Sequence, residues 1–151
     1  MLRRFIVYIA LTLASMGLIS TSAWAAKDPV YQSFLGTAID GTDPVSYFTD
    51  GRPIAGKSSI THKWNGATWR FKSKANRDLF AANPKKYAPQ YGGYCAWAVS
   101  QGYTASTDPD AWTIVDGKLY LNYSKSVRSQ WEKDIPGNIK SGNKNWPSVL
   151  K

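Results

Sequence analysis

Two turn-forming dipeptides, each set between short apolar segments, constrain the fold more than any other feature of the sequence. They are Asn65-Gly66, between residues 60–64 and 68–71, and Asp116-Gly117, between residues 112–115 and 119–121. Asn-Gly and Asp-Gly readily adopt the positive φ angles that a tight hairpin turn requires. The sequence therefore predicts two antiparallel β-hairpins. In the second arm of the first hairpin, Trp69 and Phe71 share one face because strand side chains alternate.

Helical spacing follows each hairpin. Ser73 is a good N-cap for an amphipathic helix of about ten residues, which Asn83-Pro84 ends. Ser124 caps a second helix that runs through Trp131 and stops at Pro136-Gly137. With the hairpins, these helices predict the α+β class: a small antiparallel sheet of two β-hairpins packed against one or two helices.

The first 25 residues have the three-part layout of a secretory signal peptide. Arg3 and Arg4 precede an uncharged apolar run, residues 5–20, and Ala23-Trp24-Ala25 follows as a small-x-small cleavage site. The run is shorter than the roughly 20 residues that span a bilayer. We therefore predict cleavage after Ala25, a periplasmic or secreted protein, and no transmembrane segment after signal removal.

Residue counts exclude several classes of site. The chain has 151 residues, which suits one small domain, and it contains one Cys and one His. An internal disulfide framework, a multi-thiolate zinc or iron–sulfur site and a multi-histidine metal site are therefore excluded within a single chain. The net charge is +9. The basic residues are spread along the chain rather than clustered, which argues against a nucleic-acid partner.

The least regular part of the sequence, residues 87–110, is where we expect a site. It contains the densest mixture of aromatic residues, glycines and the only thiol, from Tyr91 through Gly92-Gly93 to Cys95 and beyond. Paired glycines allow a sharp turn or a close backbone approach. We therefore predict that Tyr91, Tyr94 and Trp97 line a ligand site. The alternative is a core-crossing segment whose aromatic residues only fill the domain.

Several motifs, in this order, resemble those of the YHS family. They are Asp43-Pro44-Val45-Ser46-Tyr47-Phe48, the hairpin of residues 64–73, Asn76-Arg77-Asp78-Leu79-Phe80 and Pro84-Lys85-Lys86-Tyr87-Ala88-Pro89. The match covers roughly residues 40–90, and residues 92–99 and 112–123 further resemble an exported bacterial subgroup of YHS-domain proteins. The resemblance implies a YHS-type scaffold. It also implies, for the family's metal-associated members, thiols that hold a soft metal.

Those thiols are replaced in this chain. The corresponding positions are Ser46, Lys72 and Asn76. A hydroxyl, an ammonium and an amide cannot stand in for thiolates on a soft metal, and Lys72 would repel a cation. The resemblance therefore predicts the scaffold without the metal site at these positions.

Cys95 and His62 are the remaining candidate metal ligands. An unpaired thiol in an oxidising compartment is buried and inert, ligated or reactive. His62 lies on the strand face that also carries apolar residues, so a structural role is the alternative to ligation. With a carboxylate such as Asp108 or Asp110, the two would form a mononuclear copper or zinc site. Asp108-Pro109-Asp110 by itself is better explained as a surface turn.

These observations divide the chain into four parts. They are a signal peptide (residues 1–25), a loosely packed N-terminal lead-in (26–39), a YHS-like domain with a C-terminal extension (40–135) and a polar C-terminal tail (136–151). The function we expect is that of an exported YHS-type binding module for a metal ion, copper or zinc, or for a small ligand, rather than that of an enzyme. The alternatives are a thiol-dependent redox or transfer enzyme that uses Cys95, and an interaction domain without a site.

Overall fold

The structure is a computed structural model that describes residues 25–151 and has the predicted α+β class. The predicted signal peptide lies outside the described residues except for Ala25. The strands are β1 (Lys57–Trp64), β2 (Ala67–Phe71), β3 (Asp108–Val115) and β4 (Lys118–Asn122). The helices are α1 (Ser46–Thr49), α2 (Lys74–Ala82), α3 (Pro84–Tyr87), α4 (Ala96–Ser100), α5 (Lys125–Glu132) and α6 (Ile135–Asn145), with short 3-10 helices at Ile39–Gly41, Gln90–Gly93 and Ser148–Leu150. None of the helices in this part of the chain has the length and apolar character needed to cross a membrane.

Both predicted hairpins are confirmed. Asn65 and Gly66 have φ angles of 50° and 78°, and the corresponding turn residues of the second hairpin, Asp116 and Gly117, have 49° and 72°. The pairings β1–β2 and β3–β4 are antiparallel. Within residues 25–151 the hairpins form two separate two-stranded sheets. They meet through their side chains rather than through a shared strand edge.

Strand β4 lies between two hydrophobic cores because its side chains alternate. Leu119 and Leu121 enter a first core, while Tyr120 enters a second one. In the first core, β2 supplies Trp69 and Phe71, the two residues predicted to share a face, and α2 supplies Phe80. Phe80 lies with its ring centroid 5.0 Å from that of Trp69 and 5.2 Å from that of Phe71.

The two predicted helix caps are present, but the predicted end of the second helix is wrong. Ser73 accepts a hydrogen bond from Asn76 N at 3.1 Å, and Ser124 caps α5 in the same way. The pair Pro136-Gly137 begins α6 instead of stopping a helix, because Pro is tolerated in the first turn, where its missing N–H would have no intrahelical partner. Asp134 caps this helix by accepting from Gly137 N at 3.0 Å.

The segments predicted to be a loose lead-in and a polar tail are both integral to the fold. In the lead-in, Val30 is buried, and Tyr31 N donates to Gly92 O at 2.9 Å. In the tail, α6 packs against α4, and Trp146 packs against Tyr91 with ring centroids 6.0 Å apart. The backbone partners of both segments are distant in sequence, so the polar composition of each segment gave no sign of this packing.

Candidate functional site

Ser46, Lys72 and Asn76, where the YHS resemblance would place metal-binding thiols, come together around a buried carboxylate. Asp43 is 0% exposed. Its Oδ1 accepts from Val45 N at 2.9 Å, and its Oδ2 accepts from Lys72 N at 2.9 Å and from Asn76 Nδ2 at 2.8 Å. Ser46 Oγ donates to Asp43 O at 2.7 Å. We call Asp43, Ser46, Lys72 and Asn76 the Asp43 junction.

The Asp43 junction is a structural connection rather than an open binding site. The ammonium of Lys72 points away from it and lies 2.7 Å from the carboxylate of Asp50. This hydrogen bond, more than any other contact, lowers the pKa of Asp50. Ser46 Oγ also accepts from Ile54 N at 3.1 Å. The junction therefore ties the segment before α1 to the end of β2 and the start of α2.

Cys95 is buried, and the polar groups around its sulfur are one side-chain amide oxygen and several backbone N–H groups. The residue is 1% exposed and lies at the N-cap of α4. Its Sγ accepts from Tyr123 N at 3.3 Å and lies 3.6 Å from Asn122 Oδ1. Burial raises the pKa of the thiol. The protonated form therefore dominates at neutral pH, and a thiol in this form is both a weak nucleophile and a poor metal ligand.

The proposed copper or zinc site that joins Cys95, His62 and a carboxylate is not formed. Across residues 25–151, no three His, Cys, Asp or Glu side chains are grouped so that they could hold a metal ion. His62 packs on β1 with its ring centroid 6.1 Å from that of Phe80. Asp108 begins β3, and its Oδ1 accepts from Asp110 N at 2.9 Å, which forms an Asx turn at the residues predicted to make a surface turn.

The segment expected to carry a site has an unusual backbone. Tyr91, Gly92 and Gly93 have consecutive positive φ angles of 57°, 61° and 83°. A Cβ on Gly92 would lie 1.9 Å from Pro29 O, so only glycine fits there. Tyr91 is not a glycine, and a left-handed backbone at such a residue stores strain. Tyr91 is held there because its ring is buried in the second core and its hydroxyl donates to Asn143 Oδ1 at 3.0 Å.

The three predicted ligand-lining residues do not share one site. Tyr91 lines a cleft on one side of the segment. Trp97 and Cys95 line a different, mainly apolar pocket of about 290 Å³. Tyr94 lies between Tyr31 and Trp146, with ring centroids 5.9 and 6.2 Å away, and its hydroxyl donates to a backbone carbonyl oxygen of the N-terminal segment.

The cleft beside Tyr91 has the features of a site for a small anion. Its volume is about 400 Å³, which is within the usual range for small-molecule sites. Four aromatic residues line it. Trp64 and Trp69 belong to the first hairpin, Tyr91 to the 3-10 helix Gln90–Gly93, and Trp146 follows α6. Lys85 of α3 and Lys118 of β4 also line it, and both are exposed. None of the described acidic residues is among the lining residues. We call this concavity the basic aromatic cleft.

Sequence reasoning identified only Tyr91 among the residues of the basic aromatic cleft. The missed residues come from separate parts of the chain, and no motif links them. One weak signal exists: Trp64 precedes the turn Asn65-Gly66, and Lys118 follows the turn Asp116-Gly117. Both turns therefore place a large side chain at the end of a hairpin. That pattern does not reveal that the two ends face the same cleft.

Comparisons with protein-family models, with curated protein sequences and with solved structures found no match to this chain. The resemblance to the YHS family therefore stays a prediction from the sequence motifs.

Proposed function

We propose that this protein is an exported binding module of the YHS type, without enzymatic activity, and that it binds a small anion with a flat apolar body in the basic aromatic cleft. The observation that carries the proposal is the lining of that cleft. Trp64 and Trp146, which are half-buried, offer apolar ring surfaces, while Lys85 and Lys118 offer two positive charges. Ring surfaces bind the apolar part of a ligand, and the ammonium groups attract its carboxylate, sulfonate or phosphate group.

A small ligand is favoured over a metal ion and over thiol chemistry by the surroundings of the candidate ligands. His62 is packed against Phe80 on the first hairpin, and the sulfur of Cys95 is enclosed beside β4. A thiol whose pKa is raised by burial needs a nearby base or positive field before it can react. The polar groups that contact the sulfur in residues 25–151 are Asn122 Oδ1 and the backbone N–H groups of Tyr123, Trp97 and Ala98. These N–H groups lower the pKa of the thiol, but burial raises it more, and none of the four groups is a base or a charged side chain.

Export is proposed from the predicted signal peptide, with a periplasmic or secreted location. Ala25, the predicted cleavage position, is exposed, and Lys27 N donates to Leu150 O at 2.7 Å. Cleavage after Ala25 would therefore leave this hydrogen bond in place. Mass spectrometry of the protein recovered from the exported fraction measures the mature N-terminus. A mature chain that starts at Ala26 supports the proposal, and a full-length chain retained in the cytoplasm contradicts it.

The binding proposal is tested with two probes that share a ring system but differ in charge. The anionic probe is 1-anilinonaphthalene-8-sulfonate, and the neutral one is N-phenyl-1-naphthylamine. We expect one molecule of the anionic probe to bind per chain and to quench tryptophan fluorescence. The double variant Lys85→Gln/Lys118→Gln should weaken its binding by about tenfold while changing binding of the neutral probe little, because only the charge attraction is lost.

A matched variant separates the cleft from a general charge effect. Lys125 and Lys140 lie on α5 and α6 and do not line the basic aromatic cleft, so Lys125→Gln/Lys140→Gln should bind the anionic probe like the wild type. Tyr103→Ser alters the smaller pocket beside Cys95. If binding of the anionic probe is lost in Tyr103→Ser and kept in the Lys85/Lys118 variant, the probe occupies the other pocket and the proposal is wrong.

A further inference from the structure

The most exposed apolar side chains of residues 25–151 form the tip of a rigid turn. Phe34 is 102% exposed and Leu35 is 84% exposed. They are the two central residues of a turn in which Gly36 N donates to Ser33 O at 2.8 Å. Ser33 N donates in turn to Thr37 O at 2.9 Å. We call Phe34 and Leu35 the apolar tip.

The turn is fixed to the body of the protein, so the apolar tip cannot fold back to bury itself. Thr68 N donates to Gly36 O at 2.8 Å, and Ala38 N donates to Thr68 O at 2.9 Å. These bonds attach the C-terminal side of the turn to the start of β2, and the bond from Ser33 N to Thr37 O holds the N-terminal side against it. A large apolar pair that is held away from the core in this way normally marks a surface that contacts another molecule or a membrane.

Positive charge lies next to the apolar tip. Gly36 of the turn and residues 63–68 of the first hairpin line a groove of about 390 Å³, which includes the exposed Lys63. This groove shares Trp64 and Asn65 with the basic aromatic cleft, where Lys85 and Lys118 lie. None of the acidic residues in the described part of the chain lines either concavity. The two concavities are therefore lined by lysine side chains without a neighbouring carboxylate among their lining residues.

We propose that the apolar tip inserts into the interface of an anionic lipid bilayer while Lys63 contacts the lipid headgroups. A bilayer needs only the tip to be buried, and apolar insertion combined with basic residues is the pattern of reversible interfacial binding. Trp64 lines the same groove as Gly36 of the turn and belongs to the residue type enriched at membrane–water interfaces. A second copy of the chain fits less well. Two side chains per protomer fall far short of the roughly 1,200 Å² that a specific protein interface buries.

The test measures co-sedimentation of the protein, purified from the exported fraction, with lipid vesicles. One set of vesicles contains phosphatidylcholine and phosphatidylglycerol, and the other contains phosphatidylcholine alone. We expect binding to the anionic vesicles that weakens as salt is added. Phe34→Ser/Leu35→Ser should reduce the partition coefficient on the order of 100-fold. Lys63→Ser should reduce it about fivefold.

Two controls make the result specific. Leu79→Ser removes another exposed apolar side chain, on α2, and Lys125→Ser removes a lysine on α5, so both variants should bind vesicles like the wild type. Thermal unfolding of the Phe34/Leu35 variant should match that of the wild type, because the tip side chains are almost fully exposed. Binding of the anionic naphthalene probe should also be unchanged, which keeps this test separate from that of the cleft.

Three results of the vesicle experiment would overturn the proposal. They are absence of binding to anionic vesicles, equal binding to both kinds of vesicle, and binding that survives the Phe34/Leu35 variant. A concentration-dependent dimer in light scattering that disappears in the same variant would assign the tip to a second copy of the chain instead of to a membrane.

Discussion

Removal of the Asp43 carboxylate should destabilise the protein more than most single substitutions do. Asp43 accepts three hydrogen bonds, from Val45 N, Lys72 N and Asn76 Nδ2, at 2.8–2.9 Å. A hydrogen bond to a charged group contributes about 1.5–3 kcal/mol, and the contributions of bonds that share one acceptor do not add fully. Removing the carboxylate also relieves its own burial cost. For Asp43→Ala we therefore expect a loss of about 3–4 kcal/mol, from a total stability of about 5–15 kcal/mol.

A graded series tests whether the hydrogen bonds themselves cause this loss. Asp43→Asn keeps an acceptor for Lys72 N and Asn76 Nδ2 but turns an NH₂ group toward Val45 N. It should therefore lose about 1–3 kcal/mol. Combining Asp43→Ala with Asn76→Ala in a double-mutant cycle should give a coupling energy of about 1.5–3 kcal/mol.

Urea unfolding followed by tryptophan fluorescence measures these differences, since a change in midpoint at constant slope reports stability. The matched control is Asp78→Ala, which removes an exposed carboxylate of α2 that pairs with Arg77. This change should alter the free energy of unfolding by less than about 0.5 kcal/mol. A loss below about 1 kcal/mol for Asp43→Ala, or a coupling energy near zero, would refute the reasoning.

Three further predictions concern the backbone, the thiol and a buried tyrosine. Gly92→Ala should lower the free energy of unfolding by more than about 2 kcal/mol, because a Cβ would collide with Pro29 O. Gly102 also has a positive φ but has open space around it, so Gly102→Ala should lower the free energy of unfolding by only about 1 kcal/mol. Equal losses for the two variants in urea unfolding would contradict this prediction. Cys95 in the folded protein should react with iodoacetamide at pH 8 on the order of 100-fold more slowly than in urea, because burial raises the pKa of the thiol. Similar rates in the two conditions would show that the folded protein has an accessible thiolate. Burial likewise raises the pKa of Tyr47, so the folded state holds its proton above pH 10 while the unfolded state loses it. Stability should thus fall as the pH rises from about 9 to 11, and urea unfolding of Tyr47→Phe should show a smaller fall; an unchanged fall would contradict this.

The elements that the sequence predicted correctly are those whose cause is local. The turn Asn65-Gly66 fixes its hairpin by the φ angles of two residues, and Ser73 caps α2 with a bond that spans three residues. Neither feature depends on a distant contact. The shared face of Trp69 and Phe71 also follows from strand alternation alone.

The features that the sequence did not reveal depend on contacts between distant segments. The sequence predicts that Pro136 ends a helix, but Asp134 caps a new helix, α6, that begins there, and packing against α4 holds α6 in place. The left-handed run that starts at Tyr91 depends on Pro29, some sixty positions earlier, and on Asn143 in α6. Local composition carries no record of such partners, so the segment was recognised as irregular without its geometry.

Strand β4 explains why the candidate site lies at the junction of the two cores. Leu119 faces the first core, and its neighbour Tyr120 packs on Tyr91 in the second core with ring centroids 5.9 Å apart. Lys118, directly before them, lines the basic aromatic cleft. The cleft therefore has one wall from the first core, with Trp69, and one from the second. A shift of either core against β4 would change the spacing between the aromatic rings and the ammonium groups that line the cleft. The affinity of the cleft for its ligand should therefore depend on the packing of β4 as well as on the residues that line the cleft.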